Sequence, residues 1–179
     1  VDKREVILPR KAILELAKQL TAAEDTISIE IFAAQVRFRY GNSELVTKII
    51  DGKFPDYTRV IPVNYNKTIT LDRQLLLQSL QRAAILSNEK YRGVRWTLTK
   101  GSLKVSCSNT EQEEAQEEIE VAYQGESLDV GFNVTYLLDV LNNVDVETVE
   151  CRLADANSSA LFMLPGNEHF KYVVMPMRI

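Results

Sequence analysis

Apolar residues recur along this chain with two alternating periods. Val6-Ile7-Leu8 reads as a short strand and Pro9 as a helix-opening residue. Ala12, Ile13, Leu16, Ala17 and Leu20 then share one helical face, with Lys11, Glu15 and Lys18 opposite. Period two follows in Ile27/Ile29/Ile31 and Val36/Phe38/Tyr40, then a less regular run from Leu45 to Ile50, with turn residues such as Gly41-Asn42 between. The order returns at Thr68-Ile69-Thr70-Leu71, where Asp72 is an N-cap and Leu76, Leu80, Ala83 and Ala84 form the apolar face. Its strands are Val94/Trp96/Leu98, Leu103/Val105/Cys107 and Ile119/Val121/Tyr123, the last two separated by a long acidic stretch. A third unit has Leu128/Val130 as its strand, Asn133 as a cap, and Val134, Leu137, Leu138 and Leu141 at helical spacing, with strands around Val149, Phe162 and Tyr172.

The pattern is therefore βαβββ, three times, in units of roughly sixty residues, which is longer than common solenoid repeats and predicts an α+β protein of paired units sharing a sheet domain. Three units imply one complete domain over residues 63–179 preceded by half of another over residues 1–62. A half domain leaves an open sheet edge and an uncovered helix face. Together with an opening Val1-Asp2-Lys3 that has no initiator Met and no signal-peptide pattern, this predicts a fragment of a longer protein.

Between the first two units lies Phe54-Pro55-Asp56-Tyr57-Thr58-Arg59-Val60-Ile61-Pro62, which has no hydrophobic period of its own. Its two prolines hold φ near −65° and bias the preceding residues toward extended backbone, so it is expected to be a stiff, extended connector. Phe54, Tyr57 and Arg59 are residue types favoured as interface anchors. On local sequence alone, an ordinary linker with its aromatics tucked into the neighbouring core is the favoured reading.

Composition narrows the chemistry. Hydrophobic residues at 45% and charged residues at 26% fit a globular chain, and no apolar run reaches the roughly eighteen residues of a membrane span. Cys107 and Cys151 lie on alternating segments as buried strand residues, and too few cysteines for a disulfide framework point to a reducing, cytoplasmic setting. The only histidine, His169, follows the turn-like run Pro165-Gly166-Asn167-Glu168 and reads as a solvated loop residue with no partner for a metal site or a triad. Neither a GxGxxG nor a phosphate loop is present, so no cofactor is expected. Six glutamates between Glu111 and Glu120 lack the spacing of a calcium loop and read as a solvated strand edge or a charged interface. Setting those six aside leaves 19 acidic residues against 21 basic ones, so the net charge of −4 is concentrated in one place. Arg10, Lys11, Lys18, Arg73 and Arg82, at helix starts or on outward helix positions, suit loose, sequence-independent contact with phosphates.

Five segments carry a resemblance: FPDYTRVIP (54–62), RAAILSNEKYRGVR (82–95), EQEEAQEE (111–118), GFNVTYLLDVLN (131–142) and YVVMPMRI (172–179). In them the sequence resembles the bacterial DNA polymerase III β sliding clamp family, over the end of the middle domain and the whole last domain. The resemblance implies the DNA-clamp fold and a non-enzymatic ring that encircles duplex DNA and tethers replicative and repair DNA polymerases by topology. It implies a pocket for linear peptides of polymerases and of the clamp loader at Pro55, Arg59, Val60, Asn133, Tyr136, Ser159, Val173, Met175, Pro176, Met177 and Arg178. Methionine there supplies an adaptable apolar floor, and arginine and tyrosine supply polar handles. It also implies a subunit interface at Ile85 and Leu86 with Glu113, Glu114 and Glu117, in which Gln116 departs from the family's acidic pattern. The family closes its ring as a homodimer, and a chain without the first domain is expected to stay monomeric. Two rivals stand beside this reading: a monomeric peptide-binding adaptor that never encircles DNA, and a metal-dependent hydrolase using the glutamate run.

Overall fold

A computed structural model describes residues 4–20, 26–87, 90–109, 111 and 113–179. Val1-Asp2-Lys3 at the opening, Asn88 and Glu89 of the second resembling segment and Gln112 of the third lie outside the described residues. The chain forms two compact units, Val1–Pro55 and Asp56–Ile179.

The first unit carries helix α1 (Arg10–Gln19) and strands β1 (Ser28–Ile31), β2 (Gln35–Tyr40) and β3 (Ser43–Lys48) in one antiparallel sheet, ordered β1-β2-β3. Period two in β2 sends Val36, Phe38 and Tyr40 inward, where Leu16, Leu20, Ile31, Leu45 and others close over them. Tyr40 donates its hydroxyl hydrogen to Gln19 Oε1, tying strand to helix. One expectation is corrected here. Val6-Ile7-Leu8 is not a strand but a segment with a single bridge, Ile7 to Ile50. Part of the apolar face of α1 is left uncovered, as the half-domain reading expects: Leu16 and Leu20 pack against the strand core, while Ile13 and Ala17 stay exposed.

The second unit opens with a 3-10 turn (Tyr57–Arg59), not with a continuously extended connector. Asp56 accepts hydrogen bonds from the Thr58 backbone N–H (3.1 Å) and Oγ1 (2.6 Å), a local capture that competes with extended backbone. The aromatics are not tucked away either: Phe54 is 67% exposed and Tyr57 66%.

β4 (Lys67–Asp72) and α2 (Arg73–Ile85) then lead to β5 (Gly93–Thr99), β6 (Ser102–Ser108) and β7 (Glu114–Glu120). The order repeats with β8 (Leu128–Asn133), α3 (Val134–Asn142), β9 (Thr148–Leu153), β10 (Ala160–Leu164) and β11 (Asn167–Val174). Each repeat lends its first strand to the other: the sheets are β11-β10-β9-β4 and β7-β6-β5-β8. This exchange is why the two repeats fold as one body. Both helices have their expected caps, Asp72 accepting from Leu75 N at 2.7 Å and Asn133 from Thr135 N at 2.9 Å. Their apolar faces meet both sheets in one core, where the Trp96 ring stands edge-on to Phe132 of its own sheet and Phe162 of the other.

From Glu114 on, the acidic run is strand β7 at the sheet edge, with Glu117 half-buried and Ile119 buried on one side and Glu114, Gln116, Glu118 and Glu120 outward; Glu111 and Glu113 precede the strand, and Val121 and Tyr123 lie past its end, still buried. His169 is a strand residue of β11, not a loop residue: Pro165 and Gly166, the latter at φ 76°, complete the turn within two positions, so pairing resumes at Asn167. Cys107 and Cys151 are free and buried, as expected.

Candidate functional site

A cavity of about 630 Å³ opens on the second unit where the 3-10 turn faces the edge strand β11. Tyr57, Val60 and Ile61 form one side; the turn sets their spacing, with the Val60 N–H donating to Tyr57 O at 3.0 Å. From the strand come Glu168, His169, Lys171 and Val173, with Met175 just beyond. Five of the eight lining residues are apolar or aromatic, and Glu168, His169 and Lys171 are polar or charged, the division expected of a site that takes an apolar anchor and orients it by polar groups. Met175 is 60% exposed yet held in place: Ser159 Oγ donates to its Sδ at 2.9 Å. The pairing of Ala160 with Val174 brings these two side chains together, since Ser159 precedes β10 and Met175 follows β11.

Of the sequence-predicted pocket residues, Val60, Val173 and Met175 line this cavity, Ser159 supports it, and Arg59 extends from the adjoining turn with its side chain 86% exposed and Asp56 at 3.5 Å. Pro176 is half-buried beside Met175. Asn133 caps α3, and Tyr136 stands exposed in that helix's first turn. Met177 and Arg178 line a different groove of about 850 Å³, together with Arg95 and Lys104 of the neighbouring sheet and Tyr91 in the turn before it. Pro55 is the last residue of the first unit. Sequence reasoning missed His169 and Lys171. The signal was available: once Val173 and Met175 are placed on one strand face, period two adds positions 171 and 169.

The predicted basic positions differ in how much charge they leave free. Arg10, Lys11 and Lys18 are exposed on α1, with Glu15 3.7 Å from Lys18 Nζ. Arg73 is half-buried and donates to the Val146 (2.9 Å) and Leu141 (3.1 Å) carbonyl oxygens, so much of its donor set is used inside the unit. Arg82 grips Glu117 through Nε (2.9 Å) and a terminal nitrogen (2.6 Å). That two-pronged bond holds the Glu117 carboxyl below the usual carboxylate range and raises the Arg82 guanidinium, and the two shifts agree in direction.

Residues 58–178 match the profile of the DNA polymerase III beta subunit, C-terminal domain, and residues 1–56 that of its central domain. The chain belongs to the β sliding clamp family. It is 52% identical over 178 residues to the beta sliding clamp of Pseudomonas putida, covering 99% of this chain and 48% of that one. Against the beta sliding clamp of Escherichia coli the identity is 42% over 179 residues, covering 100% and 49%. The crystal structure of the DNA polymerase III subunit beta from Pseudomonas aeruginosa superposes with a TM-score of 0.96 at 49% identity, over 100% of this chain and 49% of that one. A DnaN sliding clamp from the same organism bound to griselimycin gives 0.94 at 49% identity, over 99% and 48%. The chain thus spans about half the length of the curated clamps it matches.

Among the residues that the clamp resemblance assigns to a subunit interface, Ile85 is 79% exposed at the end of α2, whereas Leu86 is half-buried and packs on the core. Glu113 accepts from Asn109 Nδ2 at 2.6 Å, Glu114 is exposed, and Glu117 is engaged by Arg82. Among the described residues no group of three or more His, Cys, Asp or Glu is arranged to hold a metal ion. No helix among them is long and apolar enough to cross a membrane.

Proposed function

We propose that this chain is the C-terminal portion of a cytoplasmic, non-enzymatic DNA sliding clamp that docks linear peptides of polymerases and of the clamp loader in the cavity around Met175. Residues 1–62 then correspond to the end of the middle domain with its connector, and residues 63–179 to a complete last domain. In the whole ring, a homodimer, duplex DNA is encircled without sequence preference, and the replicative and repair DNA polymerases bound to the ring stay on their template. The observation that carries the peptide reading is the cavity in which apolar Val60, Ile61, Val173 and Met175 and the Tyr57 ring stand together with Glu168, His169 and Lys171, with Arg59 in the adjoining turn. Pro55, Asn133, Tyr136, Pro176, Met177 and Arg178 would extend the contact along the peptide.

For DNA, Arg10, Lys11 and Lys18 carry the contact, and Arg73 and Arg82 contribute only the donors that their internal bonds leave over. Ile85, Leu86, Glu113, Glu114 and Glu117 would meet another subunit. Without the remaining half of the clamp the chain is expected to be a monomer.

The test is fluorescence anisotropy of a labelled clamp-binding peptide titrated with this chain and with a Met175→Ala, Arg59→Ala double variant. Binding on the order of micromolar, lost in the double variant, is the expected result. An unaltered chain that fails to bind overturns peptide docking by this half alone. A second reading, an adaptor that binds peptide as a monomer and never encircles DNA, would require the full-length ring to leave circular DNA uncaptured.

A further inference from the structure

The final residues of the chain pass from one sheet of the second unit to the other. β11 ends at Val174, and Met175 enters the cavity. Two positions on, the Met177 N–H donates to Gly131 O at 2.8 Å, a single antiparallel bridge to β8. Ile179 then lies across the outward side of β8 and β5, where Arg95 donates to its carbonyl oxygen at 3.3 Å.

Two glycines lie beneath this crossing. Gly131 pairs with Arg95, and Gly93 with Asn133, on these adjacent strands. Neither is among the glycines with positive φ, so conformational freedom is not what these positions need. They need space. A methyl group on Gly131 would overlap the Met177 carbonyl oxygen and come within 2.6 Å of Ile179 Cγ1, and one on Gly93 would come within 2.7 Å of Ile179 Cγ2. The first collision is with backbone and cannot be relieved by a side-chain rotation, so the crossing segment itself would have to move. Glycine inside a strand weakens it and marks close approach of another backbone, which is what occurs here.

We infer that Gly131 and Gly93 form a seat for residues 177–179, and that this seat sets where Met175 stands in the cavity. Only Pro176 separates the seated bridge from Met175, and its locked φ transmits a displacement rather than absorbing it. Gly131 and Gly93 therefore act on Met175 as positioning residues, through the segment they seat. The consequence for binding rests on the peptide reading of the cavity, whereas the seat itself does not.

The experiment uses methyl-13C methionine in the 179-residue chain, which has three methionines: Met163, buried in β10, and Met175 and Met177 in the crossing segment. In Gly131→Ala the Met175 and Met177 methyl signals are expected to shift while Met163 stays in place, and affinity for a clamp-binding peptide to fall by roughly tenfold. Met177→Pro deletes the one N–H that bonds Gly131 without altering the sheet. It is expected to shift Met175 in the same way, and it decides the matter if Gly131→Ala fails to fold. A Met175 signal unchanged in Met177→Pro, or unchanged in a folded Gly131→Ala whose Met177 signal has moved, overturns the inference. If the unaltered chain binds no peptide, the proposed function falls while the methyl signals still decide the seat.

Discussion

Phe162→Ala is the substitution that most directly probes how the second unit holds its site together. Phe162 is 1% exposed in β10, and its ring stands 6.2 Å from that of Trp96 in β5 at an interplanar angle of 77°. The pair therefore joins the sheet that carries β11 to the sheet that carries β8, the two elements that the chain's last residues connect. Truncating a fully buried phenylalanine costs about 3–5 kcal/mol in lost transfer energy and residual cavity. Of this, about 0.5–1.5 kcal/mol belongs to the edge-to-face contact. With a urea slope of about 2 kcal/mol/M, a cost of about 4 kcal/mol moves the unfolding midpoint down by about 2 M. Trp96 is the only tryptophan, so intrinsic fluorescence follows this unit without labelling. Val63→Ala, at a side chain 79% exposed, serves as the control and is expected to change stability by less than about 0.5 kcal/mol. A Phe162→Ala midpoint within about 0.3 M of the parent at unchanged slope would refute the claim that this aromatic seam binds the two sheets.

Asp72→Ala is expected to destabilise the second unit by about 1 kcal/mol in the same assay, because it removes the acceptor that caps α2 at Leu75 N. Glu117→Gln should lower the melting temperature at neutral pH. Because the folded carboxyl is depressed, the stabilisation from the Arg82 pair is fully present above the unfolded value of about 4.3 and is lost as pH falls through the lower folded value. The gap between parent and variant in a thermal scan should therefore close in acid; a gap that widens there would reverse the assigned sign. Cys107 and Cys151 should resist an aromatic disulfide reagent at neutral pH until urea unfolds the unit, since burial raises both thiols and the Cys107 S–H is donated to Ala83 O at 2.7 Å. Rapid native-state labelling of either would contradict the packing.

What the sequence determined by itself is whatever depends on neighbours along the chain. Period two and period 3.6 mark strands and helices because side-chain direction repeats locally, and Asp72 and Asn133 are legible as caps because a cap bonds two or three residues ahead. The family was legible for a related reason: segments such as 82–95 and 172–179 carry its motifs in unbroken runs. Local reasoning failed where competing local bonds or distant partners decide. The prolines of the connector bias its ends, yet Asp56 captures Thr58 and winds the middle into a turn. Alternation in Glu114–Glu120 could be read as a solvated edge, but the Arg82 that holds Glu117 is 35 positions away. The exchange of β4 and β8 between repeats cannot be seen in either repeat alone, because strand pairing is set by the shared core rather than by adjacent sequence. The cavity shows both sides: Val173 and Met175 lie in a recognisable motif, but Tyr57 and Val60 join them only because the turn at the start of the unit folds against its last strand. Gly93 and Gly131 are the extreme case, since only the folded chain shows what passes within a methyl radius of each.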